Sequence, residues 1–432
     1  MAKYSRLISL VGAAIAIVFF IAFAALTKTK PESWNDISRI AAVESLVERG
    51  TWTIDASPWL DATQDKVLLN GHFYSDKMPL MTLLGAGAYT ILHDGWGMSL
   101  APDCFQAAGG CAYPWLTRIL VGLPVALMLW LFYDFARRQR APLWAALVGT
   151  AALGAGTMLF PYALVFNHHA PAAASLFASF YLLTRRTAWR GGLILAGLLA
   201  TLAISFDVLS GIVAAVMFGV ALARYRGGVV YFALGAAVPI VITALLDYQI
   251  ARTVIPPYMI TNGYNYPGSA FPATFGGNGT PDDYAAYAFR MFLGGKGLFA
   301  YNPLLLLAIA GALVVALNRR HPLWIEGVFS AAGFLLLCAY LATETGNYGG
   351  TGYGERWFIV AIPLLYAFLF FIPPLNAETA KSAAWVVFVP FLALSVVSAL
   401  QGSQAPWHDW LPPLQVTRQA QFPIFGFKWN GL

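Results

Sequence analysis

Apolar runs long enough to cross a lipid bilayer recur along the whole of this 432-residue chain, with short polar segments between them. A membrane-spanning helix needs about 20 such residues. Hydrophobic residues make up 59% of the chain and charged residues only 11%, whereas roughly 25% of the residues in a soluble domain are charged. The sequence therefore predicts an all-α polytopic membrane protein in which residues 1–432 form a single transmembrane domain.

The basic residues fall into short clusters between the apolar runs. Short loops rich in Arg and Lys stay in the cytoplasm, so each cluster marks a cytoplasmic loop. Topology thus accounts for the formal net charge of +6, and no nucleic-acid partner is expected. The clusters are Arg137, Arg138 and Arg140; Arg185, Arg186 and Arg190; Arg224 and Arg226; and Arg319 and Arg320.

This alternation predicts about eleven transmembrane helices, surrounded by membrane lipids. The first run is long and lacks a clear cleavage site, so we interpret it as a retained span. The N-terminus then lies in the cytoplasm and the C-terminus lies outside the plasma (inner) membrane. Three long segments reach the outer face, residues 27–115, 248–302 and 401–432, together with a shorter loop, 343–357. The spans begin near residues 7, 116, 143, 170, 191, 208, 228, 303, 323, 358 and 384.

A further apolar stretch, Leu80 to Leu92, is too short to cross the bilayer, and a crossing there would invert every later loop. We expect a re-entrant or interfacial helix. Cys104 and Cys111 then lie outside, where oxidation occurs, and they form either a disulfide or two separate thiols. Cys338 lies inside a predicted span and is interpreted as a packing residue.

Ionisable residues gather in the first outer segment, where their cost near the membrane makes them informative. From Trp34 to Arg49, apolar residues recur at helical spacing. This pattern predicts an amphipathic juxtamembrane helix along the interface, with Asp36 at its start. Farther on, Pro79 suits the first turn of the next helix, so that Lys77 and nearby backbone amides are placed to meet an anion.

Short motifs occur in a characteristic order on the expected outer face. They are Asn35-Asp36-Ile37-Ser38-Arg39, Val47-Glu48-Arg49-Gly50, Gly71-His72-Phe73-Tyr74-Ser75-Asp76-Lys77-Met78-Pro79, Phe166-Asn167-His168-His169, Gly294-Gly295-Lys296-Gly297-Leu298-Phe299 with Asn302-Pro303, and Gly352-Tyr353-Gly354-Glu355-Arg356-Trp357. Over residues 1 to 370 this order resembles that of the GT-C glycosyltransferases, in particular the protein O-mannosyltransferase and lipid A aminoarabinose transferase group. Two motifs depart from the family: its acidic pair appears as Asn35-Asp36, and its Lys-Pro-Pro appears as Lys77-Met78-Pro79.

The resemblance implies an enzyme that transfers a sugar from a polyprenyl-phosphate donor to a lipid, glycan or protein acceptor on the outer face, with inversion at the anomeric carbon. It also implies a carboxylate that acts as general base, for which Asp36 is the catalytic candidate. The alternative role of Asp36 is to cap the juxtamembrane helix.

The resemblance further implies cations that bind the departing phosphate. Lys77 and Arg356 are the candidates, because an ammonium supplies a point charge and a guanidinium a two-pronged donor, and Lys296 is a weaker third. The alternatives are an interfacial Lys77 that reaches toward water and an Arg356 paired with Glu355 or Glu344.

Seven further residues of the same motifs are candidates for substrate binding. The histidines among them, with acidic neighbours, are also able to ligate a divalent metal, but a metal is not favoured because cations already surround the phosphate site. No cofactor is expected. The seven residues are Arg39, Asp65, His72, Tyr74, Asp76, His168 and His169.

The second outer segment, 248–302, is rich in aromatic residues and glycines. Aromatic rings stack on sugars, but Tyr and Trp also form belts at membrane interfaces, so both interpretations stay open. The glycines indicate a lid that orders on substrate binding. These residues are Tyr258, Tyr264, Tyr266, Phe271 and Phe275, and Gly263, Gly268, Gly276, Gly277 and Gly279.

Two other classes of protein compete with the glycosyltransferase hypothesis. A transporter or flippase of lipid-linked sugars predicts charged residues deep within spans and inverted repeats, yet Asp207 is the main acidic residue inside the apolar bundle and no repeat is evident. A non-catalytic scaffold leaves the clustering of Asp36, Lys77 and Arg356 on one face unexplained.

Overall fold

We describe a computed structural model of the chain. The structure describes residues 2–185, 189–271, 281, 283–372, 375, 384–410, 421–422 and 427–428. Phe275, Gly276, Gly277 and Gly279 of the predicted lid, and most of the predicted tail 401–432, lie outside the described residues.

Helices occupy all of the apolar runs that the sequence predicts to span the membrane, and the all-α architecture is confirmed. The run 356–371 is helical in three short pieces: a 3-10 turn, Arg356–Val360, the α-helix Ile362–Tyr366 and a second 3-10 turn, Ala367–Phe371. The helices are α1 (Ala2–Leu26), α2 (Trp34–Glu48), α3 (Pro79–Trp96), α4 (Tyr113–Thr117), α5 (Leu123–Arg138), α6 (Leu143–Ala155), α7 (Leu159–Tyr162), α8 (His169–Leu183), α9 (Arg190–Phe206), α10 (Ser210–Tyr225), α11 (Val229–Ala251), α12 (Tyr284–Phe292), α13 (Leu298–Tyr301), α14 (Leu304–Leu317), α15 (Trp324–Glu344), α16 (Ile362–Tyr366) and α17 (Trp385–Gln404).

Length and composition divide the apolar helices into two groups. Within the described ranges, four helical stretches are long and apolar enough to cross a bilayer: Tyr113–Arg138, Ser210–Ala251, Trp324–Glu344 and Trp385–Gln404. Six shorter apolar helices accompany them: Leu10–Leu26, Leu143–Ala155, His169–Leu183, Arg190–Phe206, Leu304–Leu317 and Ile362–Phe371. The number of eleven crossings stays a prediction.

Helix α9 packs against α8, α10 and α11. Glycines allow the backbones of α9 and α11 to meet: a Cβ at Gly197 would lie 1.9 Å from the Phe232 carbonyl oxygen, and one at Gly235 would lie 1.8 Å from that of Ile194. Close approach through small residues is how helices associate where lipid removes the hydrophobic drive. This packing fixes the loop between α9 and α10, which carries Asp207.

Helix α2 is largely covered by other parts of the protein. Ten of its fifteen residues are buried, including polar ones. It packs against α3 and against strand β2 of a small hairpin, β1 (Lys66–Leu69) and β2 (His72–Ser75). The predicted helix is thus present, and its position along the membrane interface stays a prediction.

The β1–β2 hairpin carries the Gly71-to-Pro79 motif. Leu69 pairs with His72, so Asn70 and Gly71 form a two-residue turn, and both have positive φ. Turns of this kind match the twist of an antiparallel hairpin. Strand β2 therefore ends directly before Asp76 and Lys77, and α3 begins at Pro79.

Helix α3 extends beyond the predicted stretch, from Pro79 to Trp96, and ends at Gly97 with φ +64°. Its placement as a re-entrant or interfacial helix stays a prediction. Cys104 and Cys111 form a disulfide in the loop that follows, so the alternative of two thiols is excluded. Cys338 lies in α15 as a free cysteine.

Candidate active site

A cavity of about 740 Å³ lies at the end of the bundle that carries α2 and the hairpin. Loops and helix termini supply most of its wall, and aromatic rings cover much of it. Its charged and imidazole side chains come from six places in the sequence. They are Glu32, Arg39, Asp65, Asp76, Lys77, His168, His169, Asp207 and Arg356.

Lys77 lies in this wall between two carboxylates. Its Nζ is 2.6 Å from Oδ2 of Asp65 and 3.0 Å from Oδ1 of Asp76. The Tyr264 hydroxyl donates to the other oxygen of Asp76, at 3.0 Å. Burial raises the pKa of Asp76, against the opposing effect of Lys77. Lys77 is largely buried at the cavity and does not extend to the surface as an interfacial lysine would.

Arg39 is almost completely buried, although it carries a guanidinium group. Its Nη2 contacts Nδ1 of His168 at 2.5 Å. Its Nε and Nη1 have no hydrogen-bond partner among the described residues. Burial lowers the pKa of Arg39 to about 10, while the nearby carboxylates of Asp76 and other residues oppose this shift. Arg39 therefore stays charged near neutral pH and offers two free donors at the cavity.

Arg356 also lines the cavity. Its guanidinium lies over the Trp407 ring, 5.3 Å from the centroid, and its Nη1 donates to the Thr351 carbonyl at 3.0 Å. The predicted alternative of a pair with Glu355 or Glu344 is not found in the described part of the chain: both carboxylate oxygens of Glu355 are buried without a hydrogen bond. Burial raises the pKa of Glu355 to about 8. Arg356 is thus held by a ring and a carbonyl.

His169 and Asp207 form a buried pair in the cavity wall. Nδ1 of His169 is 2.8 Å from Oδ2 of Asp207, and the backbone N–H of Leu209 donates to the other oxygen at 3.2 Å. Nε2 of His169 is buried and has no partner among the residues described. The His168 ring packs against that of His169 with ring centroids 3.8 Å apart and an angle of 39° between the ring planes. Asp207 was missed as a site residue in the sequence, where it was considered only in weighing the transporter hypothesis.

His168, His169 and Asp207 bring their ligand atoms within 4.8 Å of one another, a spacing that suits a metal ion. However, the Arg39 guanidinium already occupies Nδ1 of His168. A guanidinium has no acceptor atom, and its positive charge opposes a cation at the same place. We therefore assign no metal to these residues, and metal independence stays a prediction.

Asp36 lies behind the cavity wall. Its carboxylate accepts hydrogen bonds from the Ser33 amide at 2.7 Å, the Ser33 hydroxyl at 2.9 Å and the Tyr113 hydroxyl at 3.0 Å. The backbone N–H of Asp36 in turn donates to the Ser33 hydroxyl, which completes a capping box at the start of α2. Burial raises the pKa of Asp36 to about 6. The cap alternative is thus present, and the role of Asp36 as base stays a prediction.

Three other predicted site residues lie away from the cavity. His72 forms a pair with Asp55 on the surface at 2.7 Å, and Tyr74 belongs to strand β2 outside the lining. Lys296 donates to the carbonyl oxygens of Gly350 and Gly352, each at 2.9 Å, and also contacts Asp409. It supports the loop that carries Arg356 and does not line the cavity.

Aromatic residues of the second long segment also reach the cavity. Tyr258, Tyr264 and Phe271 line it, together with Trp407 from the segment after α17. Tyr266 instead packs edge-on against Phe73, with ring centroids 5.0 Å apart. The cavity is therefore lined by aromatic rings, which are the side chains that stack on sugars. The lid function predicted for this segment is untested.

Comparison with solved structures identifies the architecture. ArnT from Cupriavidus metallidurans, in its crystal structure bound to undecaprenyl phosphate, superposes with a TM-score of 0.54 over 90% of this chain and 69% of that chain, at 15% sequence identity. The fold is of the GT-C type. The apo structure of the same ArnT gives a TM-score of 0.53 over 93% of this chain and 64% of that chain, again at 15% identity. Neither a family model nor a curated protein matches the sequence.

Proposed function

We propose that this protein is a membrane glycosyltransferase that takes a sugar from a polyprenyl-phosphate donor. One observation carries the proposal: the buried guanidinium group of Arg39 and the half-buried one of Arg356 border one cavity. Nε and Nη1 of Arg39 and Nε of Arg356 lack hydrogen-bond partners among the described residues. A buried donor without a partner costs about 1–3 kcal/mol, and more when it is charged. Phosphate oxygens on a bound ligand would satisfy these donors in the geometry that arginine favours.

The apolar part of the cavity supports a lipid-linked donor. Phe206 and Leu209, at the junction of α9 and α10, line it with Tyr340 of α15, which is partly exposed on the side of the bundle. An isoprenoid chain is able to follow such a surface from the membrane to the charged groups. The ArnT structure of the same fold has undecaprenyl phosphate bound, which supports the same class of ligand here.

In the proposed reaction, an acceptor oxygen attacks the anomeric carbon and the bond from that carbon to the phosphate oxygen breaks, with inversion. Arg39, Arg356 and Lys77 stabilise the charge that develops on the departing phosphate. Lys77 is already neutralised by Asp65 and Asp76, so the two arginines supply most of the free positive charge. A lipid, glycan or protein provides the acceptor. The positions of the basic clusters in the sequence support a reaction on the non-cytoplasmic face of the plasma membrane.

The direct test is sugar transfer by the purified full-length protein in lipid nanodiscs. Labelled sugars on polyprenyl phosphate are offered with extracted cell-envelope material, and the product is followed by chromatography. Arg39→Gln and Arg356→Gln should each reduce transfer strongly and weaken binding of the donor. His72→Gln is the matched control, because His72 lies at the surface beside Asp55 and should leave transfer unchanged.

The same preparation separates transfer from transport. Movement of labelled lipid across vesicles without formation of a glycosylated product would support the flippase alternative. Failure of the wild-type protein to bind any polyprenyl phosphate, or to transfer sugar from any donor offered, would refute the proposed function. Asp36→Asn belongs in this assay, because equal turnover of this variant and the wild type would remove Asp36 as the base.

A further inference from the structure

The pair formed by His169 and Asp207 has the arrangement of a proton acceptor held in position. The carboxylate of Asp207 is fixed on one side by the Leu209 amide and on the other by His169. Both residues are buried and both line the cavity. A carboxylate on one imidazole nitrogen sets the tautomer and orientation of the ring and stabilises the cation that forms when the ring takes up a proton.

The hydrogen-bond partners settle which nitrogens of the two rings carry protons. Arg39 only donates, so Nδ1 of His168 accepts, and the proton of neutral His168 lies on Nε2. Asp207 accepts, so Nδ1 of His169 donates, and Nε2 of neutral His169 has a free lone pair. That atom has no hydrogen-bond partner in the described ranges.

The other carboxylates at the cavity are less suited to receive a proton from an acceptor. Asp65 and Asp76 are engaged with Lys77. Asp36 does not reach the lining, and Glu32 is an exposed residue at the rim. His169, a buried residue of the cavity wall, therefore offers a basic atom that is free of a partner among the described residues.

We propose that Nε2 of His169, positioned by Asp207, accepts the proton of a hydroxyl group on the acceptor substrate. This inference rests on the proposed function. A lone pair of the acceptor oxygen forms the new bond to the anomeric carbon. The O–H proton passes to the lone pair of Nε2 of His169, and the electrons of the broken O–H bond stay on the acceptor oxygen. The bond between the anomeric carbon and the phosphate breaks, and its electron pair leaves with the polyprenyl phosphate.

The proposal also specifies the acceptor class. A hydroxyl group must lose a proton during attack, and general base catalysis typically contributes about 10²- to 10⁴-fold to such a step. A phosphate acceptor already carries a deprotonated oxygen at neutral pH and needs no base. A function for the His169 lone pair in this reaction thus requires an alcohol, such as a sugar or a hydroxyl side chain.

The charges around His169 are compatible with this role. Burial lowers the pKa of His169, Asp207 opposes this shift, and Arg356 and Arg39 add to it, while the neighbouring His168 stays neutral in the arrangement above. When the phosphate of the donor binds, it neutralises part of the charge of the two arginines. The ring then accepts a proton more readily with donor bound than in the empty cavity.

The test compares His169→Gln, Asp207→Asn and wild type with a fixed polyprenyl-phosphate sugar and a hydroxyl acceptor. His169→Gln should lower kcat by about 10²- to 10⁴-fold, with binding of polyprenyl phosphate kept within a few-fold of wild type. Asp207→Asn should show a smaller loss of the same kind. Imidazole added to His169→Ala should restore part of the turnover, an effect that a purely structural residue would not show.

The outcomes separate this inference from the proposed function. Wild-type protein that neither binds nor uses the donor refutes the function itself. Wild-type protein that is active, with His169→Gln turning over at the same rate, overturns the inference alone. Two other results also contradict a role as base. One is that His169→Gln and Asp207→Asn lose both donor binding and activity. The other is a folded His169→Ala that binds donor and does not respond to imidazole.

Discussion

Arg39 contacts Nδ1 of His168 through Nη2 at 2.5 Å, which joins the first turns of α2 to the start of α8 across 129 residues of sequence. Burial, together with the charges of His169 and Arg39, holds the pKa of His168 well below its usual value. His168 is therefore a neutral acceptor at physiological pH. This contact fixes one prong of the guanidinium and leaves Nε and Nη1 available to a ligand.

Arg39→Lys should weaken binding of polyprenyl phosphate even though the charge is retained. The variant loses two donors to phosphate, and charge-assisted hydrogen bonds contribute about 1.5 kcal/mol or more each, so we expect roughly 100-fold weaker binding. Arg49→Lys is the control, because Arg49 ends the same helix and is paired with Glu44 outside the cavity. If Arg39→Lys bound polyprenyl phosphate as tightly as the wild type, the guanidinium group of Arg39 would not be donating two hydrogen bonds to the phosphate.

Glu355→Gln should change the pH dependence of stability. The folded-state pKa of Glu355 is raised from 4.5 to about 8 by burial. A raised acid pKa stabilises the fold fully below pH 4.5, and this contribution is lost as pH rises through 8. Wild-type protein in detergent should therefore lose more thermal stability between pH 5 and pH 8 than Glu355→Gln. The exposed Glu344→Gln variant should follow the wild type, and parallel curves for all three proteins would contradict the prediction.

Lys296→Met should loosen the loop that carries Arg356. Lys296 donates to two carbonyl oxygens of that loop, at Gly350 and Gly352. We expect a loss of about 1–3 kcal/mol in loop stability and donor binding weakened roughly 10-fold, measured by titration in nanodiscs. Asp409→Asn should have a smaller effect, because Asp409 is more than half exposed and water screens its charge. If Asp409→Asn weakened donor binding as much as Lys296→Met does, the contacts of Lys296 with the two carbonyl oxygens would not be what holds the loop.

Reduction of the disulfide between Cys104 and Cys111 should lower thermal stability without abolishing donor binding. The bond closes a short loop, for which chain entropy predicts a contribution of about 2 kcal/mol. Neither cysteine lines the cavity. The measurement is the unfolding temperature with and without reductant, alongside Cys104→Ser. Donor binding that disappears on reduction would show that this loop supports the site.

Ser33→Ala tests whether Asp36 acts through the helix cap. Loss of a capping side chain costs about 1 kcal/mol. The substitution also removes the Ser33 hydroxyl, one of the hydrogen-bond donors to the Asp36 carboxylate. If Asp36 supports Arg39 by holding the start of α2, Ser33→Ala should reproduce part of the activity loss of Asp36→Asn. If Asp36 is itself the base, Asp36→Asn should abolish turnover while Ser33→Ala has little effect. Turnover of both variants is measured with the donor at saturation.

The sequence by itself determined the helical membrane architecture and much of the motif placement. Long apolar runs leave few alternatives in lipid, because backbone groups must form hydrogen bonds within each helix. Local signals also placed Lys77 directly before a helix that begins at Pro79, and brought Cys104 near Cys111. These features depend on neighbours within a few residues, so hydropathy and turn chemistry were sufficient to predict them.

Only the tertiary structure decided which polar groups face the cavity. The sequence motif made Asp36 the catalytic candidate and Arg39 one of several binding candidates, yet packing of α2 turns the carboxylate toward Ser33 and Tyr113 and the guanidinium toward His168. Asp207 becomes part of the site because α8 and α9 pack together and bring it to His169, 38 residues away. Such long-range contacts follow from the close fit of helices, which local patterns of hydrophobicity do not encode.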